Sequence, residues 1–368
     1  MERASLQTGL LFIICLILIG TVLSMVGYFV LPLVIATLMA FAVYPMVRFF
    51  TNRLRIPRAL SILFVLVLLL VAGFLIGLII FSSGQQLAGQ FPEYQARFND
   101  IIENSQMLER ISLLLDDSLD ISADVGLSPL QAIGSYLLPT FRSYIITISG
   151  GLLSFFSSFF MMILFLLFIL IEAPYIQSKV IAAIDDSRAR TVMKITSNIN
   201  QQVGHYLGLK LLTSGLTAVI VTAGFSLVGV DFAVIWGVLT FMFNFIPNIG
   251  SIIISLVSML FIFIQFYPNP TPIIIGSAVM WMAQLIIGNV VDPKLQGDRL
   301  NLSPVVILFS LLFWGWLWGI AGMFLAIPLT MVIKIVCGTI PGLRPVSILM
   351  ETGKAVVKKN SVELQDED

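Results

Sequence analysis

The stretch FNFIPNIGSI, residues 243–252, sets a proline, a glycine and two asparagines inside sixty residues without a charge, Phe232 to Val291. As one helix that run would rise about 90 Å, roughly three times the 30 Å hydrocarbon core of a bilayer. It must fold back, and its own punctuation marks the places: PNIG at 247–250 and YPNPTP at 267–272. Irregular backbone at membrane depth is tolerated only where protein or a water-filled cavity satisfies it. Pro247 frees a carbonyl, Gly250 permits a sharp bend, and Asn244 and Asn248 supply amides. A hairpin tip lining a solute path needs those residue types, and so does a kink packed silently inside the bundle.

Composition points the same way. Hydrophobic residues make up 58% of the 368 and charged residues 11%, against about half and a quarter in soluble domains. The chain is read as a membrane protein with the lipid bilayer as its surroundings. Its 20 basic and 20 acidic residues cancel, so charge points to no nucleic-acid partner. Cys15 and Cys337 lie far apart in or beside apolar runs, which suggests neither a disulfide framework nor a metal site. No cofactor is expected. The chain lacks GxxxxGK, HExxH and a nucleophile elbow, so an enzyme is not expected.

The uncharged runs 4–47, 59–92, 143–171, 211–230, 232–291 and 300–333 are each long enough to span at least once. Continuous runs make helices, whereas a barrel needs short alternating segments. The fold is therefore all-α and polytopic, with about eight helical segments or more. The first run, about 66 Å as one helix, is expected to fold back near Gly27 to Pro32 into a hairpin. The loop RFFTNRLRIPR, 48–58, holds four arginines and no acid, and reads as cytoplasmic. Both termini are then cytoplasmic, and 83–147, with eight acidic residues against three basic, lies outside.

The expected divisions are transmembrane helices in 1–82, an amphipathic insertion over 83–147, a further span with a cytoplasmic interfacial helix in 148–206, a transport core over 207–340 and a tail over 341–368. In the insertion, Tyr94, Phe98, Ile101, Ser105, Leu108 and Leu115 form a stripe at helical or heptad spacing. Either a small domain of its own or the same helix in another subunit could cover it. His205, the one histidine, has no acid close in sequence and reads as a surface residue.

The core repeats a plan of helix followed by hairpin. Leading helices 207–229 and 272–291 precede hairpins at 231–266 and 303–336. Parity makes the two halves an inverted-topology repeat, the arrangement that puts transporter sites between broken helices. Asp231 and Asn301 open the hairpins, with Thr240 and Ser310 nine residues on and Phe243 and Phe313 twelve on.

FNFIPNIGSI, VVDPKLQGDRLNLSP (290–304) and WGWLWGIAGMFLAIPL (314–329) resemble the signature of the autoinducer-2 exporter family, the PerM-like permeases. In YLGLK (206–210) lysine stands where a small polar residue is expected. The resemblance implies an inner-membrane transporter and a homo-oligomer, with a pentamer one option. It also implies export of autoinducer-2, a small polar sugar derivative, or, for other members, sodium–proton antiport. A passive channel or scaffold is a third reading.

Candidate contacts for a small polar solute are Thr240, Asn244, Pro247, Asn248, Gly250, Gln284, Asn289 and Ser310. Candidate gating or proton groups are Asp292, Lys294, Asp231 and Glu172, all at the edges of apolar runs. Asp292 and Lys294 also suit a solvated helix stop, and Trp314, Trp316 and Trp318 suit interfacial anchors.

Overall fold

The computed structural model describes residues 20–104, 151–296 and 301–353, with Ile14, Leu18 and Ser143. Regular structure among them is wholly helical: α1 (Gly27–Arg53), α2 (Arg58–Asn104), α3 (Leu152–Glu172), α4 (Ile176–Ala183), α5 (Asp186–Val228), α6 (Ala233–Phe243), α7 (Ile249–Phe266), α8 (Pro270–Ile286), α9 (Asp292–Gln296), α10 (Pro304–Thr339) and α11 (Arg344–Leu349). A π-helical turn, Ile287–Val291, joins α8 to α9. Seven of the described helices are long and apolar enough to cross a membrane. Leu153, Phe160, Val219 and Leu256 are each more than half exposed, as side chains are where lipid is the solvent. The chain is a multi-pass α-helical membrane protein.

The described residues form two compact units. The first holds residues up to Val71, Ser158–Thr213 and Val290 onward; the second holds Ala72–Ser157 and Ser214–Asn289. In the first, Ala36, Ala40, Val43 and Val47 of α1 recur every three or four residues and meet Ile62, Val65 and Leu66 of α2 and Leu166 and Leu170 of α3. On another side Leu38 packs with Val203, Tyr206 and Leu207 of α5 and Ile327, Met331 and Ile335 of α10. Gly204 makes the α1–α5 approach possible, since a Cβ there would lie 2.9 Å from the Phe41 carbonyl oxygen.

The expected fold-back at Gly27–Pro32 does not occur. Pro32 lies inside α1, and the interruption falls at Val26. Helical hydrogen bonds continue on both sides of it, from Val26 N–H to Val22 O and from Val30 N–H to Val26 O. The chain bends there and does not reverse, because one residue at φ −90°, ψ 9° turns a helix axis only partway.

In the second unit the latter half of α5 packs with α6, α7 and α8 around Val221, Phe225, Trp236, Ile262 and Met280. The latter part of α2 belongs to this unit as well. It runs past residue 82 without a break to Asn104, so the start of the insertion is a continuation of a membrane helix. Of the predicted stripe, Tyr94 packs within the chain: its ring lies 5.0 Å from that of Phe261 and 6.4 Å from that of Phe232. Ser105, Leu108 and Leu115 lie outside the described residues. Likewise α5 is one helix from Asp186 to Val228. The mixed-charge stretch from 186 therefore continues a membrane helix, and α4 alone stands apart, with no buried residue.

Candidate functional site: two broken hairpins and an ion pair

The first hairpin is α6–α7. Pro247 has no N–H to offer the Phe243 carbonyl four residues back, so helix α6 ends and that oxygen accepts instead from Ile246 N–H at 2.9 Å. The chain then reverses through Asn248 at φ 58°, ψ −53°. Asparagine is among the few side chains that adopt positive φ readily. The bend thus rests on Asn248, and the need for glycine at 250 has a different cause. A Cβ on Gly250 would lie 1.8 Å from the Phe243 carbonyl oxygen. Close approach of the two arms requires the glycine, which corrects the expectation that it supplies the turn.

The second hairpin is formed within α10, where Trp318 (φ −130°, ψ 18°) and Gly319 (φ 62°, ψ −144°) leave helical geometry. The Gly319 conformation is one that only glycine reaches without strain. Gly322 then approaches the Trp314 carbonyl, 1.8 Å from where its Cβ would be. Gly319 follows Asn248 by 71 residues, and Trp314 follows Phe243 by the same 71. Each hairpin sets a glycine against an earlier carbonyl, seven residues on in the first and eight in the second.

Their side chains do different things. Thr240 is fully buried and its hydroxyl has no protein partner among the described residues. Asn244 is buried one turn further on, and its N–H donates to the Thr240 carbonyl at 3.0 Å. Pro247 is half-buried and Asn248 exposed at the tip. Ser310, by contrast, lies 2.7 Å from the Thr330 hydroxyl and clips the two arms of α10 together. Trp318 donates from Nε1 to the Leu23 carbonyl at 3.2 Å, at the bend before α1, while Trp316 is 74% exposed. Only Trp316 keeps the exposure expected of an interfacial anchor.

The mouth of the first hairpin is latched. Gln265 accepts from Asp231 N–H and donates to the Gly229 carbonyl, each at 3.0 Å. Tyr94 donates to the Asp231 carboxylate at 2.7 Å, and Arg97 donates to the Gln265 carbonyl at 2.9 Å. Asp231 is exposed and engaged by this latch. Glu172 ends α3 in an ion pair with the exposed Lys179. Lys294 and Asn289 are exposed, whereas the Gln284 amide nitrogen is buried without a protein partner among the described residues.

Asp292 is different. Its Oδ2 lies 2.8 Å from the ammonium of Lys210, and the two side chains are only 14% and 12% exposed. The pair joins α5 to the first residue after the π-helical turn, and such turns are frequent at functional sites. Asp292 Oδ1 is buried with no protein partner among the described residues. Tyr206, buried one turn before Lys210, packs in the same region. The sequence reading missed Tyr206 and Lys210. A signal existed: Lys210 is the one charge between Leu207 and Val228, and Asp292 ends the uncharged run of sixty. Two lone opposite charges in apolar surroundings are each costly and should seek one another.

A broken hairpin with a strained tip in each unit and, within the first unit, an ion pair in apolar surroundings are features of polytopic membrane transport proteins. The chain belongs to the AI-2E transporter family, whose sequence profile matches residues 11–342. It is 30% identical over 326 residues to the AI-2 transport protein TqsA of Escherichia coli, covering 87% of this chain and 89% of that one. A protein of Borreliella burgdorferi is 32% identical over 338 residues, 92% of this chain and 88% of its own. The sodium-lithium/proton antiporter of Halobacillus andaensis is 23% identical over 333 residues, 84% of this chain and 90% of its own.

Proposed function

We propose that this transporter is a secondary exporter of a small polar solute across the inner membrane, with both termini cytoplasmic and autoinducer-2 the first candidate solute. The observation that carries the reading is the Lys210–Asp292 pair at a helix break. Ionisable groups held inside a membrane bundle are costly and mark solute or ion paths. A charge pair that can part and re-form also suits a gate, because each charge offers hydrogen bonds to a polar solute only when the other releases it. The likeness to TqsA supports autoinducer-2 as the solute. The family resemblance supports a homo-oligomer.

A second reading, cation/proton antiport, is favoured by one feature, the buried Oδ1 of Asp292 with no protein partner among the described residues, which could receive a proton or an alkali cation. The likeness to the Halobacillus antiporter supports the same reading. Everted membrane vesicles holding a pH-sensitive dye separate the two. Accumulation of autoinducer-2 without a sodium- or lithium-dependent pH change supports the exporter. Collapse of the pH gradient on adding either cation, with no autoinducer-2 accumulation, overturns it in favour of antiport.

A further inference from the structure

A second polar site lies in the first unit, away from the Lys210–Asp292 pair. The charged half of α5 presents Lys194, Asn198, Gln201 and Gln202, spaced so that all four share one face of the helix. That face borders a cavity of about 640 Å³, closed on the other side by the last turns of α10 and by α11. The volume falls among small-molecule sites, about 300–1,000 Å³. Helices that meet beside a membrane ordinarily close on small or apolar residues. Here three amides face the gap.

The lining has a definite chemistry. An amide donates from its nitrogen and accepts at its oxygen, as a hydroxyl does both, so neighbouring amides match neighbouring hydroxyls. The Thr339 and Ser347 hydroxyls add to the same set, and Met331 and Ile335 give an apolar floor suited to C–H groups. Charge is almost balanced within the cavity. Lys334 donates to the Asn301 carbonyl at 2.6 Å and faces Glu351 at 4.0 Å, both side chains being mostly buried. A ligand hydroxyl beside this ion pair can accept from the ammonium or donate to the carboxylate.

The same residues touch the second hairpin. Thr352 donates to the Asn301 side chain at 3.1 Å, and Ser303 N–H, at the start of α10, donates to the Met350 carbonyl at 2.9 Å. Whatever binds in the cavity beside Lys334 and Glu351 therefore lies next to the chain where the hairpin begins. We propose that this cavity is a loading site for an uncharged polyol of about sugar size. The proposal rests on the transport reading for its role and on the lining for its ligand.

The test uses the full chain in nanodiscs and saturation-transfer difference NMR, with D-ribose and D-ribose 5-phosphate as probes. Wild type should bind D-ribose. Asn198→Leu with Gln202→Leu should weaken binding about tenfold, a factor of a few for each amide lost. The exposed Gln201→Ala, which any fold tolerates, should weaken it about threefold. Equal binding by wild type and both variants, or binding of the phosphate alone, overturns the site. Transport separates this outcome from failure of the exporter reading. Autoinducer-2 flux with unchanged half-saturation in the variants overturns the cavity and leaves the exporter standing. D-ribose binding that the variants weaken, with no autoinducer-2 flux in wild type, supports the cavity as a binding site and overturns the exporter.

Discussion

Replacing Lys210 by methionine, Asp292 by asparagine, and both together forms a cycle whose magnitudes follow from the structure. At 2.8 Å and an effective dielectric constant of about 20, the attraction is about 6 kcal/mol. Removing two ions from water costs several kcal/mol each, so the intact pair adds little net stability. A single partner left behind is another matter. Lys210→Met strands a carboxylate whose other oxygen has no partner among the described residues, and Asp292→Asn strands an ammonium. Each single variant should lose about 3–5 kcal/mol, and the double variant should recover most of it. Denaturant unfolding of purified protein in matched detergent measures the stability side, and flux in proteoliposomes the functional side. All three variants should transport at least about tenfold more slowly, if a loss near 1.4 kcal/mol in the transition state is the minimum for a gate. A double variant with wild-type stability and wild-type flux would show the pair to be a structural fitting. Single variants within about 0.5 kcal/mol of wild type would refute the burial on which the reasoning stands.

Gly250→Ala and Gly322→Ala each put a Cβ 1.8 Å from a backbone carbonyl oxygen, which no rotamer relieves. Both should lower stability by more than the 1–3 kcal/mol typical of overpacking, seen as loss of monodisperse protein on size-exclusion chromatography. Asn244→Leu keeps side-chain size near the buried Thr240 and removes a donor and an acceptor. Flux should fall several-fold at normal expression, whereas wild-type flux would make the tip a packed kink. Tyr94→Phe removes the 2.7 Å bond to Asp231, of a kind worth about 1.5–3 kcal/mol to a charged acceptor. Hydrogen exchange at Gly229–Phe232 should quicken accordingly while α1 is unaffected.

The helical, polytopic character of the fold was legible because it rests on run length and on the absence of charge, which a bilayer enforces directly. The repeat of helix and hairpin was legible for the same reason, since Phe232–Val291 cannot be one helix. Details set by packing were not. Whether an apolar run reverses or merely bends at Val26 depends on one ψ angle and on the Trp318 indole that meets Leu23 from the far end of the chain. The role of Gly250 was misread because a glycine needed for close approach and one needed for positive φ look alike in sequence; the carbonyl of Phe243 decides between them. At the site, Asp292 stood out as the end of an apolar run. Its partner, 82 residues earlier, did not, because Lys210 was weighed only as a departure from a motif. The amide face of α5 carries no signal of its own in the sequence, because Asn198, Gln201 and Gln202 become a cavity lining only where α10 packs opposite them.

The most direct measurement of the central claim is counterflow of labelled autoinducer-2 in proteoliposomes reconstituted with the purified wild-type chain. An exporter whose path is governed by the Lys210–Asp292 gate predicts saturable exchange that is lost in Lys210→Met and Asp292→Asn, independent of added sodium or lithium. Label that equilibrates without saturation, at the same rate in wild type and both variants, would contradict it.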